Sequence, residues 1–285
     1  MMKDISVPVI WAAAIVIGAT GIAQGSGHGP VFGLATPTNP QGGFSFDTSL
    51  MGRYGYGGGT MFRATLGYGV TENFKVSVSA PVLFQAEPFA PARVAPFTPM
   101  GGDFEGLAIW RFHRQDTGVG SRFETAAIGG ILVPGAQNAG GPIKGLHSGV
   151  GAMAGVVSGV ASRSHYAWAG ATYQRYAESD RDRRPDLLFY SLAYGFRPPS
   201  WRTDRGWDWR IFGELTGEKG GHIQSAGLAL PGSNGHQVFV GPTTLGVHKN
   251  YAVSAGVQFP VYQDVSRLYY PRERFRFAIN FSYFF

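Results

Sequence analysis

The chain has 285 residues, a formal net charge of +6, no cysteine, 43 glycines and 14% aromatic residues, yet only 15% charged ones. An average soluble domain carries roughly 25% charged residues and about 7% glycine, so a cytosolic enzyme is a poor match, and the lack of cysteine excludes disulfide frameworks, thiolate metal sites and cysteine nucleophiles. With 44% hydrophobic residues and a mean hydropathy of −0.04, the chain is too apolar for disorder and too evenly mixed for a helical membrane protein.

Residues 1–23 read as a secretory signal: Lys3 in a short basic region, an apolar stretch from Val7 to Ala19, and small residues at Gly21-Ile22-Ala23. Cleavage is expected near Ala23–Gln24. The competing reading, a membrane anchor, has too short an apolar core. Residues 24–42 follow as a periplasmic lead-in, with insertion into a lumen as a second option, and 43–285 form the folded domain.

From Phe44 the dominant period is two. Phe275, Phe277, Ile279, Phe281, Tyr283 and Phe285 alternate with Arg274, Arg276, Ala278, Asn280 and Ser282, an apolar face backed by a polar one, broken only by Phe284. The aromatic C-terminal residue Phe285 resembles the assembly signal of Gram-negative outer-membrane barrels, making the barrel-assembly machinery an expected partner. Twelve segments reach the length a tilted strand needs to cross a bilayer: 43–54, 59–70, 74–84, 103–114, 121–133, 148–160, 164–176, 186–197, 207–217, 236–248, 250–262 and 274–285. Short turns alternate with long, Gly/Pro/charge-rich connections. This predicts an all-β fold, a 12-stranded antiparallel transmembrane β-barrel of the bacterial outer membrane, with short periplasmic turns and long outer loops. Pro81, Pro242 and Pro260 fall inside these segments and are read as bulges or strand ends.

Placed on the strands, Phe44, Phe46, Tyr68, Phe74, Trp110, Phe112, Phe123, Tyr166, Trp168, Tyr194, Phe196, Trp207, Trp209, Tyr251 and Tyr283 gather at the short-turn ends as an interfacial girdle. The opposite faces supply lumen-lining candidates: Arg53, Arg63, Lys75, Asp103, Glu105, Arg111, Arg122, Glu124, His165, Arg175, Asp208, Arg210, Glu214, Arg274 and Arg276. Arginine exceeds carboxylate in this set. Two readings stay open: Arg–carboxylate pairs that hold the barrel rigid, or an arginine-lined path that favours anions.

His28-Gly-Pro-Val-Phe-Gly-Leu-Ala-Thr-Pro-Thr38, then Gly42-Gly43 and an amphipathic strand, resembles the opening of a family of outer-membrane transporters named for the meta-cleavage pathway of phenol degradation. The stretch Leu66-Gly-Tyr-Gly-Val-Thr-Glu-Asn-Phe-Lys-Val76, followed by Ala80-Pro81, resembles that family's strand–turn–strand signature. The likeness runs loosely from His28 to the C-terminus. It implies help in moving aromatic or other hydrophobic molecules across the outer membrane, and it carries over no catalytic or ligand-binding residue.

Enzyme chemistry is not expected. No phosphate-loop motif occurs, and Gly149-Val-Gly-Ala-Met-Ala154 fits the relaxed dinucleotide fingerprint without its strand and helix context. The seven histidines show no metal spacing, so no cofactor or metal is expected. Basic residues are interleaved with acids along strands, which argues against nucleic acid. Twelve strands imply a narrow lumen, between the filled eight-stranded barrel and the open 16-stranded pore. The expected function is passive or facilitated transport of small, hydrophobic or aromatic molecules. The alternatives are an anion-selective channel, or a plugged structural barrel whose loops, Glu178–Arg184 foremost, bind a partner or lipopolysaccharide beside the membrane lipid.

Overall fold

The computed structural model describes residues 29–55, 60–84, 103–134, 148–201, 206–266 and 272–285, with side chains in the second segment described to Pro81. The signal at 1–23, the connection near Gly57 and the loops at 85–102 and 135–147 lie outside the described residues. Strands are β1 (Phe44–Gly55), β2 (Thr60–Thr71), β3 (Phe74–Phe84), β4 (Phe104–Gly118), β5 (Ser121–Val133), β6 (Gly151–Ala161), β7 (His165–Tyr176), β8 (Leu187–Phe196), β9 (Asp208–Gly220), the two-residue β10 (Gln224–Ser225) and β11 (Leu228–Ala229), β12 (Gly235–His248), β13 (Tyr251–Val265) and β14 (Glu273–Phe284). Twelve of them close an antiparallel barrel in which each pairs with its neighbour in the chain, β9 with β12, and β14 with β1; β10 and β11 form a separate hairpin in the β9–β12 loop.

All twelve predicted segments are barrel strands. Three run further than expected: β4 to Gly118, β9 to Gly220 and β13 to Val265. The first correction turns the expected turn at 115–120 into a two-residue connection. A bulge between Arg111 and His113 adds one residue to β4 and lets its pairing with β5 continue to Gly118↔Ser121. The prolines behave as ladder breaks. Pairing of β3 with β4 stops at Ser79, two residues before Pro81. The β12–β13 ladder is interrupted at Pro242, between Val240↔Phe259 and Thr243↔Gly256, with its register kept, and Pro260 lies at the bulge between Val238 and Phe239.

The outer face is apolar where it should meet lipid. Leu66, Val78, Ile131, Leu192, Ile211, Ile279 and Phe281 are all exposed large side chains pointing away from the lumen. At the short-turn end Trp110, Phe112, Tyr194, Trp207, Trp209 and Tyr251 are also exposed, a belt of amphipathic rings suited to the headgroup level. The seam closes at the same end: Phe44 and Phe285 exchange backbone hydrogen bonds of 2.8 and 3.1 Å, and their rings stack at 5.6 Å.

Tyr166 and Trp168 do not belong to that belt. Both are buried inside, their rings stacked at 5.8 Å, and they form part of the main interior cluster with Phe212, Leu245 and Phe284. The barrel interior therefore contains an apolar level as well as a polar one. It is this apolar level that takes Phe284, the one residue breaking the alternation of β14.

Candidate functional site: a filled lumen with two polar tiers

Residues 29–42 run inside the barrel. The segment enters at the short-turn end, where Gly42 N donates to Gly69 O at 2.8 Å and Gly69 N to Gly43 O at 2.9 Å. Gly69 makes this entry passable, since any Cβ there would collide with the Pro40 carbonyl oxygen. Further in, the Asn39 amide donates to Ser45 at 3.1 Å and the Thr38 hydroxyl to the Glu72 carbonyl at 2.7 Å. The Thr36 hydroxyl reaches Glu124 at 2.9 Å and accepts from the Trp168 indole at 3.2 Å. Leu34 N donates to the Ser191 hydroxyl at 2.9 Å.

The inner tip is held by one carboxylate. Successive backbone amides of Val31, Phe32 and Gly33 donate to Glu214 at 2.6, 2.8 and 2.8 Å, and the Thr243 hydroxyl joins them. Four donors on a buried anion replace the water it has lost, which is how a carboxylate with no cationic partner among the described residues is tolerated inside. The Phe32 ring packs on Met51, Met61 and Ala278, while Leu34 and Ala35 pack on the cluster around Trp168 and Phe212.

An outer polar tier lies above this tip. Arg276 donates to Glu218 through Nη1 and Nη2, the latter at 2.7 Å, and to Glu273 through Nε at 2.6 Å and Nη2 at 3.1 Å. Its guanidinium lies 3.6 Å from the Phe239 ring centroid, and Arg53 adds an ion pair to Glu273 at 3.2 Å. Two arginines thus meet two glutamates. Beside them, Arg63 pairs with Glu105 at 2.9 Å, with the Ser79 hydroxyl at 3.3 Å from the same carboxylate. At the outer rim Asp103 accepts from Arg184 at 2.7 Å and from the Tyr176 hydroxyl at 2.5 Å. Of the charged loop 178–184, Arg184 therefore turns inward and Asp182 accepts from Ala226 N at 2.8 Å. Glu178, Asp180 and Arg181 stay exposed.

The lower tier sits at the short-turn mouth. Arg111 bonds Glu124 at 3.0 Å and fixes the β2–β3 turn through the Asn73 side chain and the Glu72 carbonyl. Arg122 shares Glu124 at 2.9 Å. Asp208 is shared by Arg197 at 2.6 Å and Arg210 at 3.0 Å, and Arg210 lies over the Tyr166 ring at 5.0 Å.

Arg53, Arg63, Asp103, Glu105, Arg111, Arg122, Glu124, Asp208, Arg210, Glu214 and Arg276 thus all contribute to these tiers or to the hold on the tip. Lys75 is half-buried and lies across Gly67. Three candidates do not face the lumen. His165 and Arg175 are exposed on β7, whose inward residues are Tyr166, Trp168, Thr172, Gln174 and Tyr176. The expected rule, aromatic out and charge in, inverts on this strand because the lead-in inside needs ring partners. His165 joins the outer belt instead, bonding the Tyr194 hydroxyl at 2.8 Å and packing on Phe196. Arg274 is exposed because the β1–β14 register shifts between Tyr54 and Gly55, which turns Glu273 inward in its place.

Sequence reasoning missed Glu218, Glu273 and Arg184. Glu218 lies one residue past the expected segment 207–217, and Glu273 one residue before 274–285. Continuing the β9 alternation two residues past Thr216 would have found the first. Their inclusion removes the apparent arginine excess from the outer tier.

No family model matches the chain, and no curated protein matches it either. Among solved structures, it is similar to an outer membrane channel from Pseudomonas putida F1, at 12% identity, 88% coverage of this chain, 98% of that one and a TM-score of 0.65. It is also similar to the NanC porin, at 8% identity, 84% and 98% coverage and a TM-score of 0.53. The likeness is one of fold: a closed, antiparallel, 12-stranded β-barrel of the kind that spans the bacterial outer membrane.

Proposed function

We propose that this protein is an outer-membrane channel of narrow bore that passes small hydrophobic molecules, with residues 29–42 as a seated constriction. The observation that carries this reading is the apolar level inside the barrel. Between two tiers of paired charge, Phe32 meets Met51, Met61 and Ala278, and Leu34 and Ala35 meet aromatic and aliphatic wall residues. A pore for hydrated solutes keeps a polar, water-filled interior. An apolar waist instead lowers the cost of dehydrated, uncharged permeants and raises it for ions. The neutral Arg53–Glu273–Arg276–Glu218 tier weighs against an anion-selective path, since a ring of one sign is what focuses a field.

The test is uptake by proteoliposomes containing the full chain, comparing toluene with a sugar of similar size and with chloride flux. Faster entry of toluene than through protein-free liposomes, with little sugar or chloride flux, supports the reading. Chloride flux exceeding toluene entry favours the anion channel. Flux of none of the three, in the wild type and in Glu214→Ala alike, favours the plugged structural barrel that a filled lumen would also suit.

A further inference from the structure

We propose that the short-turn mouth of the lumen is a binding site for a small organic carboxylate with a flat, apolar body. The site is a cavity of about 450 Å³ between the β4–β5 hairpin, the β6–β7 turn and the start of β9, closed on the inner side by Pro37. Its volume falls within the usual range for small-molecule pockets, roughly 300–1,000 Å³.

Arginine supplies the recognition. Arg114, Arg122, Arg163, Arg197 and Arg210 all line the cavity, against Asp116 as its one other charged lining residue from β4. Two of the carboxylates around it are committed: Glu124 already serves Arg111, Arg122 and Thr36, and Asp208 serves Arg197 and Arg210. Arg114 stands across the ladder from Glu124 and Asp116 from Arg122, but neither Arg114 nor Arg163 makes an ion pair among the described residues. The Arg163 side chain lies against Gly120, where φ is +71° and a Cβ would overlap the guanidinium Nε. Around the mouth two arginines share Glu124 and two share Asp208, so arginine exceeds carboxylate even with Asp116 on the lining, and the guanidinium forks of Arg114 and Arg163 are held by no ion pair among the described residues; such forks match a carboxylate with two parallel hydrogen bonds.

One wall is aromatic. Tyr166 and Trp168 stack with an interplanar angle of 18° and line the cavity, with Arg210 over the Tyr166 ring. Charge alone would suit any small anion. Stacked rings beside the forks select one with a flat apolar part, which gains by leaving water against them while its charge stays at the rim. This site needs no permeation through the lumen, so its test is independent of the transport reading.

The experiment is ¹⁹F-detected titration of the detergent-solubilised full chain with 4-fluorobenzoate, with inorganic phosphate as competitor. Saturable binding is expected. It should weaken by about tenfold or more in Arg114→Gln/Arg163→Gln, the loss of one to two charge-assisted hydrogen bonds, and by a few fold in Tyr166→Leu, which removes the ring, with phosphate a poor competitor. Heat-modifiable gel mobility checks that each variant is folded. If the double variant fails to fold, Arg163→Gln alone carries the comparison, because that exposed residue anchors no ion pair. No saturable binding, or unchanged affinity in the arginine variant, overturns the site. Displacement by equimolar phosphate with no effect of Tyr166→Leu overturns the organic assignment.

Discussion

Glu214 accepts the backbone amide of Phe32 at 2.8 Å across 182 positions of sequence, and this contact seats the lead-in at the waist of the barrel. It is a hold on backbone rather than on side chain, so the tip depends on the carboxylate and much less on which residues occupy 31–33.

Removing that carboxylate should loosen the tip without unfolding the wall. Because the chain has no cysteine, a single thiol at Leu34→Cys reports access cleanly. A water-soluble maleimide should label it slowly in the parent and at least about tenfold faster when Glu214→Ala is added, as expected for losing several hydrogen bonds to a charged acceptor. Equal rates would show that packing of Phe32 and Leu34 alone holds the segment.

In the outer tier, Arg276 bridges two carboxylates, so its removal leaves both Glu218 and Glu273 undercompensated. Arg276→Ala should destabilise the barrel by about 3–5 kcal/mol, the range for breaking a buried ion pair from one side. Adding Glu218→Gln should recover part of the loss, because Arg53 still neutralises Glu273. A double-mutant cycle by urea unfolding measures the coupling.

Placement in the bilayer predicts a depth-dependent cost. Val78 is 61% exposed midway along β3, whereas Val119 is 90% exposed in the β4–β5 turn. Val78→Arg should cost about 2–4 kcal/mol in lipid and Val119→Arg close to none. Unfolding free energies in lipid vesicles check this, and equal costs would contradict the lipid-facing assignment of the wall.

Barrel closure offers a kinetic prediction. The Phe285 ring stacks on Phe44 at 5.6 Å and lies 5.6 Å from Tyr283, at the β1–β14 seam. Phe285→Ser removes these contacts while leaving the backbone bonds of the seam available. Appearance of the heat-modifiable band in vesicles should slow several fold, and more so when the barrel-assembly machinery is present if that residue is also its recognition element.

The wall was legible in the sequence because one environment dictates each of its faces. Lipid demands apolar side chains at every second position and rings at the headgroup level, so Phe275 through Phe281 on β14, or Trp209 and Ile211 on β9 with Trp207 just before it, declare their direction without help from the rest of the fold. The twelve strands and their order follow from that alternation and from turn length.

The lumen obeys no such rule, because what an inward residue should be depends on what stands opposite. Tyr166 and Trp168 face inward only because Thr36, Leu34 and Ala35 occupy the space beside them, a partner more than 130 positions away. Glu273 displaces Arg274 through a register shift that a single strand cannot reveal, and the net charge of the interior changes with it. Sequence by itself determined the shell, since lipid acts on each strand locally. Only the tertiary structure decided the filling: charge pairing and packing inside a closed barrel are relations between strands, and closure alone brings those strands together.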